Sequence, residues 1–449
     1  MKRVLPIVLG LTSLFIALLL ASSVTYAYAE ETPTITLAEA HEMALANNPQ
    51  LLNVDESVRQ ADIMIAGSWS ALLPFLTASA SETRNDEEIV SEQTVFMPND
   101  SGGFDTNTIE IVQQEEWVEQ YGFTAGMTIF NLPSIINLRN AYAGRSQTEY
   151  AARQNKNDLL VAVSSAYYQV VSADKLMTVS QENVKNAEEF LRLAQGRLRV
   201  GLGTRLDKLQ AEQTLLSAKK DLANARDSYR LAKRALAFLI GVEGDFNVHR
   251  PEAISAVEGN VDELIEQALA ERSDLQAAEM EMDIAARERW ATYSNWVPSL
   301  DVTYNWTHSS TENIAGENDS WRIVFGATWN IISGGGNLAQ ARLDASNHRV
   351  SANNLLQKKL DIRQEVEQQW ITVQQYRRNI ELAAKQLELA QETYRLTNRQ
   401  YEVGQSSSLE VVDASGALST ARVNLVVEQL QLDLALLNLN KAVGVYSTT

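Results

Sequence analysis

The chain carries one sequence pattern twice, and this internal repeat limits its fold more than any other feature. Matches near the start of each copy lie 224 positions apart: 48–51 with 272–275, and 73–74 with 297–298. Later matches lie 203 positions apart: 200–201 with 403–404, Leu206 with Leu409, and 241–242 with 444–445. Two constant offsets predict a duplication, with repeats at about 30–256 and 257–449. The offset falls because the first copy has a longer polar stretch, from Glu82 to Glu116.

The N-terminus has the parts of a secretory signal peptide. Lys2 and Arg3 precede an apolar run, and small residues up to Ala29 predict cleavage there, so residues 1–29 are interpreted as the signal. The chain contains no cysteine, which excludes a disulfide and a lipid on an N-terminal cysteine.

Charge and hydropathy exclude two further classes of protein. The net charge is −19, and removal of Lys2 and Arg3 with the signal makes it −21. Such an acidic surface repels nucleic acid. After the signal the sequence has no stretch of about twenty apolar residues, so no transmembrane helix is predicted. Any part that spans a membrane would therefore consist of strands.

Alternating apolar and polar residues predict two strands in each copy. The predicted strands are about 73–83, 117–131, 297–308 and 321–332. Strands of roughly ten residues with aromatic residues near their ends suit a tilted crossing of a membrane, although a small soluble sheet fits the same alternation. Four strands are too few to enclose a lumen, whereas three chains would supply twelve. The sequence therefore predicts an oligomer.

Two segments with no proline and almost no glycine predict very long helices. The predicted helices are about 49–72, 134–199, 206–240, 273–296, 337–402 and 409–443. Apolar residues from Val366 to Tyr401 recur with a mean spacing close to 3.5, the coiled-coil period. The two shorter helices of each copy can stack end to end beside the long one, and the equatorial segment 241–260 would lie beside its middle. An elongated structural or adhesive coiled-coil protein of the envelope would show the same spacing.

The order of these elements, the opening segment 35–40 (ITLAEA), the turn 333–336 (SGGG) and the Val-Gly hairpin turns together resemble the TolC-like family of outer-membrane factors. The resemblance implies a homotrimer in which a transmembrane β-barrel of twelve strands, four per chain, is continuous with a long helical coiled-coil barrel. It also implies a passive exit duct in the outer membrane of a Gram-negative bacterium, with a large periplasmic part in contact with a periplasmic adaptor protein. An inner-membrane pump of RND or ABC type would supply the energy for efflux or type I secretion, and outer-membrane lipid would surround the strands.

The hairpins 199–207 and 402–410 are expected at the closed periplasmic tip, because each joins two long antiparallel helices. Glu410 and Asp413 are three residues apart and share one helix face. In a trimer they would form two stacked rings of carboxylates, and by resemblance they match the acidic rings of the pore constriction, where such rings attract cations. An ordinary acidic residue at a helix N-terminus is the alternative for Glu410.

The resemblance also suggests a periplasmic gate that holds the tip shut. Tyr401 and Asp207 align with members of the family's gate network. Ser406 stands where relatives have an arginine, and Leu206 replaces a hydroxyl residue, so Arg205 is the candidate cationic partner or else a solvated loop residue. The tip turns expected to contact the adaptor are Val200, Gly201, Val403 and Gly404.

The sequence offers little support for catalysis or for a cofactor. The four histidines, His41, His249, His308 and His348, are scattered without ligand spacing and are interpreted as lone surface residues, so no metal site is predicted. Gly334–Gly336 lacks the lysine of a phosphate-binding loop. An exported polymer-degrading enzyme would need a paired acid and base that the sequence does not reveal. The cargo, whether drug, metal ion or protein, stays open.

Overall fold

The computed structural model describes residues 33–98, 102–249, 251, 254, 257, 259–311 and 317–445. The predicted signal peptide 1–29 lies outside this part of the chain, as do several positions of the predicted equatorial segment 241–260. None of the helices in the described ranges is both long and apolar enough to cross a membrane.

The described residues form eight strands and eight helices. In chain order they are β1 (Thr34–Ile35), α1 (Leu37–Asn47), α2 (Pro49–Ser70), β2 (Phe75–Arg84), β3 (Ile89–Pro98), β4 (Phe104–Gln114), β5 (Trp117–Phe130), α3 (Leu132–Arg199), α4 (Arg205–Ile240), β6 (Asn247–Val248), α5 (Val261–Glu271), α6 (Ser273–Ser294), β7 (Ser299–Ser309), β8 (Asp319–Thr328), α7 (Gly336–Glu402) and α8 (Ser408–Val443). The predicted fold class, mainly helical with one four-stranded sheet, is confirmed.

The main sheet has the order β2-β5-β7-β8, and every neighbouring pair is antiparallel. The edge strands β2 and β8 are therefore paired on one side only. Phe123 of β5 lies opposite Ala78 of β2 and Trp306 of β7, which places apolar side chains of three strands on one face. Phe123 and Trp306 stack with ring centroids 5.5 Å apart. Much of this face is exposed in a single chain. The stacking contact between the two rings stabilises the pairing of β5 with β7.

The long polar stretch of the first copy folds into a hairpin of its own, β3–β4. These two strands were not predicted from the sequence, in which residues 82–116 stand out only as an insertion. Their acidic and amide residues mask the alternation on which the prediction of strands depends.

The helices form a layer whose order follows from their contacts. The long helix α3 packs against α2 and α4 on one side and against α6 and α8 on the other, and α7 packs against α6 and α8. In consequence α2 and α4 form one free edge of the layer and α7 forms the other. These are the same edges on which β2 and β8 lie, because α2 leads into β2 and β8 leads into α7.

Helix ends are fixed by local sequence. Thr36, Thr204, Asn260 and Ser407 each begin a helix with a capping box, in which the acidic residue three positions later bonds back to the cap. Helices α4 and α8 both end at glycines with positive φ, Gly241 at 68° and Gly444 at 89°.

A side chain binds a carbonyl near the C-terminal end of α4 in one half of the chain, and another does the same for α8 in the other half. The Asn48 side chain donates to the carbonyl of Leu239 (3.0 Å), and the Arg272 guanidinium donates to the carbonyl of Ala442 (3.0 Å). The offset of 224 takes residue 48 to 272, and the offset of 203 takes residue 239 to 442. The same carbonyl position is therefore bound in both halves, by an amide in one and by a guanidinium in the other.

Each half of the chain contains a hydrophobic core. The first includes Val163, Tyr167 and Ile240, and the short parallel pair β1–β6 closes over it. The Tyr167 hydroxyl lies 2.9 Å from the carbonyl oxygen of Ile35, which ties β1 to α3. His41 is buried in this region, where its Nε2 lies 2.7 Å from Ser164 Oγ. The prediction of lone surface histidines is wrong for His41, because an apolar helix face carries it inward.

Candidate functional site

The turns between α3 and α4 and between α7 and α8 lie together at the end of the helices farthest from the sheet. Both turns reverse the chain through a glycine with positive φ, Gly201 at 81° and Gly404 at 83°, a conformation that a side chain would strain. Val200 and Val403 precede these glycines and are exposed, at 68% and 71%. The two turns thus present matching apolar tips to solvent.

A small core holds the two turns against each other. Its buried residues are Phe190, Ala194, Ala211, Tyr401 and Val411, which come from all four helices of the tip. Tyr401 is only 2% exposed, and its ring centroid lies 5.5 Å from that of Phe190. Burial raises the pKa of the Tyr401 hydroxyl, and the nearby negative charge of Asp207 adds to the effect. Among the described residues this buried hydroxyl has no hydrogen-bond partner.

Arg197, near the end of α3, connects the two turns directly. Its guanidinium donates to the carbonyls of Tyr401, Glu402 (3.2 Å) and Leu202 (3.1 Å), and its centre lies 4.7 Å from the Tyr401 ring centroid. The carbonyls of residues 401 and 402 belong to the last turn of α7, where helix carbonyls lack partners within the helix and the helix dipole is negative. A cation bound there stabilises the contact between the turns. Sequence analysis missed Arg197.

Asp207, a predicted gate residue, lies at the start of α4 and faces the start of α8. Its carboxylate accepts a hydrogen bond from the Ser408 hydroxyl and one from the backbone N–H of Thr204 (2.8 Å). Burial alone would raise the pKa of Asp207, but the bonds from Ser408 and Thr204 outweigh it and hold the pKa below its usual value. Asp207 is therefore an ionised link between the two hairpins.

Glu410 holds the position in the second copy that Asp207 holds in the first, because both are the third residue of a capping box. The Ser406 hydroxyl and the Ser407 backbone N–H (2.8 Å) donate to the Glu410 carboxylate and lower its pKa. Glu410 and Asp413 are both exposed in the single chain. Both side chains are therefore accessible in the single chain, and the structure gives Glu410 a capping role.

The other residues considered for the predicted gate differ in their exposure and in their contacts. Arg205 is exposed, and within the described part of the chain no hydrogen bond or ion pair of its side chain is found. Ser406 bonds to Glu410, and Leu206 is 63% exposed. Within one chain, the cation that contacts both turns is thus Arg197 and not Arg205. Its signal in the sequence is weak, because its partners are backbone carbonyls.

Above the tip, polar side chains connect α3 to α8. Asn183 donates to the Ser419 hydroxyl (2.8 Å), and Arg422 pairs with Glu182 (3.2 Å). A cavity of about 410 Å³ opens beside them and is lined mainly by small polar residues of α3, α4 and α8. The contact between the two hairpins is therefore largely polar just above the small apolar core of the tip.

Comparison with known proteins gives one consistent result. Residues 40–242 and 264–445 match the outer membrane efflux protein family. The chain is 25% identical to the outer membrane protein TolC of Vibrio cholerae over 464 residues, which cover 100% of this chain and 96% of that protein. It is 23% identical to the nodulation protein T of Rhizobium leguminosarum, covering 84% of this chain and 79% of that one. A solved structure of CusC superimposes with a TM-score of 0.76 at 19% identity, covering 91% of this chain and 92% of CusC.

Proposed function

Because the chain belongs to the outer membrane efflux protein family, we propose that it is the outer-membrane channel subunit of a tripartite efflux pump or of a type I secretion system. In this role it is a passive exit duct, through which substrates pass from an inner-membrane pump to the exterior. The observation that carries this proposal is the pair of incomplete edges that the chain leaves on both its sheet and its helical layer.

The first incomplete edge is an apolar stripe along α4. Ala211, Leu236 and Ile240 are buried, mainly against α3. Roughly half a turn around the helix lies a second set of apolar side chains, which are at least half exposed: Leu209 50%, Leu216 70%, Leu231 71% and Phe238 83%. Large apolar side chains aligned on one free face indicate a surface that is covered in the assembled protein.

The second incomplete edge is a similar stripe along α7. Ile362, Val366 and Val373 are buried within the chain. On the opposite side of the helix lie exposed apolar residues: Ile371 51%, Leu382 65%, Leu389 59% and Leu396 46%. The last three are seven residues apart, which is the spacing of a coiled-coil seam that lacks its partner helix.

The two stripes match in height above the tip. Leu209 lies four residues from the tip end of α4, and Leu396 lies six residues from the tip end of α7. Leu216 and Leu389 each follow one heptad farther from the tip. The α4 edge of one copy can therefore pack against the α7 edge of the next, and a head-to-tail contact of this kind closes into a ring.

Three copies close the sheet and the helical layer together. The same rotation that brings α4 to α7 brings edge strand β2 to edge strand β8 of the next copy, giving twelve strands. At a strand spacing of about 4.8 Å and the usual tilt, twelve strands enclose a barrel about 12 Å in radius. A homotrimer thereby satisfies the strand edges in the membrane and leaves an open lumen.

The tip of such a trimer is the gate. Arg197 and Asp207 hold the two hairpins of each chain together, with Tyr401 in the apolar core between them. Asp413 and Glu410 are assigned to the acidic constriction, where three copies would bring like charges together and attract cations. The exposed Val200 and Val403 turns are assigned to the contact with a periplasmic adaptor protein. The pump, of RND or ABC type, supplies the energy.

The test measures assembly and conductance of the full chain in outer-membrane fractions. Wild-type protein is expected to run as a heat-modifiable trimer and to form channels in planar bilayers. Leu389→Asp places a charge in the α7 stripe and is expected to abolish both, whereas Gln391→Asp, at an exposed position two residues on, is expected to retain them. A soluble, monomeric and non-conducting wild-type protein would instead favour an adhesive or structural coiled-coil role.

A further inference from the structure

The hairpin β3–β4 extends the first two strands of the sheet far beyond the other two. Strand β7 ends at Ser309, and the backbone N–H of Ser310 bonds to the Glu119 carbonyl (2.9 Å), which marks the end of the four-stranded region. The ribbon goes on past this point. Asn85 N–H donates to the Glu116 carbonyl (2.8 Å), and ten paired positions of β3 and β4 follow. At about 3.3 Å per residue the hairpin reaches roughly 33 Å beyond the sheet.

This hairpin lies at the end of the sheet away from the helices. Strand β2 begins soon after α2 and strand β5 ends just before α3, so the helices join the opposite end. In the proposed channel the hairpin is therefore outside the cell, at the outer mouth. A two-stranded hairpin is marginal in water without a surface to pack against.

The two faces of the hairpin differ in chemistry. On one face, over the central three pairs, the residues are uncharged: Ser91 opposite Ile111, Gln93 opposite Ile109, and Val95 opposite Asn107. We call these six residues the uncharged face. The other face carries Glu92 directly opposite Glu110, between the uncharged pairs of Val90 with Val112 and Thr94 with Thr108. Two carboxylates in a cross-strand pair destabilise the hairpin, and this is tolerable only if that face stays in water.

The charge of residues 82–116 indicates which of the two faces can meet another surface. Residues 82–116 contain ten acidic residues and one basic residue, Arg84. A segment this acidic is repelled by an anionic membrane surface, and its neighbours of the same sequence would repel it too if their acidic faces met. The uncharged face, with Ile109 38% and Ile111 39% exposed, lacks this pair of carboxylates, so copies can approach each other over it without like-charge contact.

Geometry favours contact between copies. In a ring with the strand order β2-β5-β7-β8, the two shorter strands separate each hairpin from the next, so the hairpins cannot pair edge to edge. Their reach of about 33 Å exceeds the rim radius of about 12 Å, so hairpins that lean inward meet at the three-fold axis.

From these observations we infer that the hairpins of three chains pack through their uncharged faces and form a cap over the outer mouth of the channel. The inference rests on the proposed trimeric channel. The occupant of each uncharged face is the hairpin of a second copy of this chain, and the acidic faces point outward to solvent.

The absence of cysteine in the natural sequence allows a direct test by disulfide cross-linking. Ile109→Cys puts a thiol on the uncharged face, and Thr108→Cys puts one on the other face, one residue away. The full-length variants are oxidised in outer-membrane vesicles and run on denaturing, non-reducing gels. Ile109→Cys is expected to give covalent dimers approaching about two thirds of the protein, the limit for one thiol per chain in a three-fold ring, and Thr108→Cys only background. No dimer from Ile109→Cys, or equal dimer from both, overturns the inference.

A second measurement examines the consequence for the channel. Ile109→Glu introduces three like charges into the cap and is expected to raise single-channel conductance about twofold or more, whereas Thr108→Glu leaves it unchanged. Equal conductance of the two variants counts against the cap. The wild-type trimer and its conductance are recorded on the same preparations. Conducting trimers without a cross-link refute only the cap, and a monomeric, non-conducting wild type refutes the channel as well.

Discussion

Replacement of Arg197 by alanine is the sharpest test of the proposal that contacts between the two hairpins keep the tip closed. The guanidinium binds the Glu402 carbonyl (3.2 Å) and the carbonyl of Tyr401 in one hairpin, and the Leu202 carbonyl (3.1 Å) in the other. Alanine removes every one of these bonds together with the contact over the Tyr401 ring. The apolar core around Tyr401 keeps its other members, so the variant is expected to fold.

The magnitude follows from the lost contacts. A hydrogen bond from a charged donor contributes about 1.5–3 kcal/mol in a favourable setting, and a cation–π contact about 0.5–1 kcal/mol at an exposed site. Arg197 is partly exposed, so water reduces each of the three bonds to about 0.5–0.8 kcal/mol, and with about 0.5 kcal/mol from the cation–π contact the total is about 2–3 kcal/mol per chain. Since 1.4 kcal/mol changes an equilibrium tenfold, the ratio of closed to open tips should fall about 30- to 150-fold per chain.

Single-channel recording of purified trimers in planar bilayers measures this ratio as open probability, and entry of large antibiotics into cells that express the variant gives an independent measure. Arg192→Ala is the matched control, because the Arg192 side chain lies on the same helix, is 74% exposed and, among the residues that the structure describes, makes only a long ion pair (3.8 Å) with Glu189. Arg197→Lys is expected to be intermediate, since an ammonium cannot spread over three carbonyls. If Arg197→Ala opens no more often than Arg192→Ala, the reasoning is refuted.

Three further predictions concern charge and pH. The double change Glu410→Ala and Asp413→Ala is expected to weaken the block of conductance by divalent cations, and an unchanged block in bilayers would rule out the acidic ring. Although burial opposes ionisation of Asp274, the hydrogen bond from Arg272 helps to hold its pKa at about 2, so Asp274→Asn should destabilise the fold by about 3 kcal/mol at pH 7. A carboxylate with a depressed pKa stabilises the fold above about pH 4, and this stabilisation is lost as the pH falls to about 2. The thermal unfolding temperatures of the wild type and of Asp274→Asn should therefore converge over that range. Burial lowers the pKa of His41, so the unfolded chain takes up a proton that the native chain does not, and wild-type stability should decline below about pH 6.5 but not in His41→Gln.

The long helices and the four strands of the main sheet could be predicted from the sequence, because their patterns of apolar and polar residues extend over many positions. A helix of 68 residues, Leu132–Arg199, contains a single proline, in its first turn, where the missing N–H is harmless. The strands Ser299–Ser309 and Phe75–Arg84 show the two-residue period because one face is apolar. Such patterns sum weak preferences over many positions, and the family and the channel function that they suggested were confirmed by the comparisons.

The details of the tip were less predictable for a physical reason. The contacts of Arg197 are to backbone carbonyls, which every residue has, so no pattern of side chains marks them. Asp207 could be proposed because its position resembles a known one, but its bond to Ser408 depends on how the two hairpins pack. Likewise the strands β3 and β4 were missed, since their acidic and amide residues interrupt the alternation of apolar and polar positions.

The two halves of the chain differ at the positions that hold the tip together, so the contact between Arg197 and Tyr401 occurs once per chain. The offset of 203 takes Arg197 to Gln400 and Tyr401 back to Leu198, so each half has only one of the two partners. A guanidinium from the first half and an aromatic ring from the second are both needed, and neither hairpin could form the contact with a copy of itself. The same offset takes Asp207 to Glu410, whose longer side chain reaches back to its own turn and not to the other hairpin. The two hairpins therefore differ at these positions and form a complementary pair, held together by the contact of Arg197 with Tyr401 and the bond of Ser408 to Asp207.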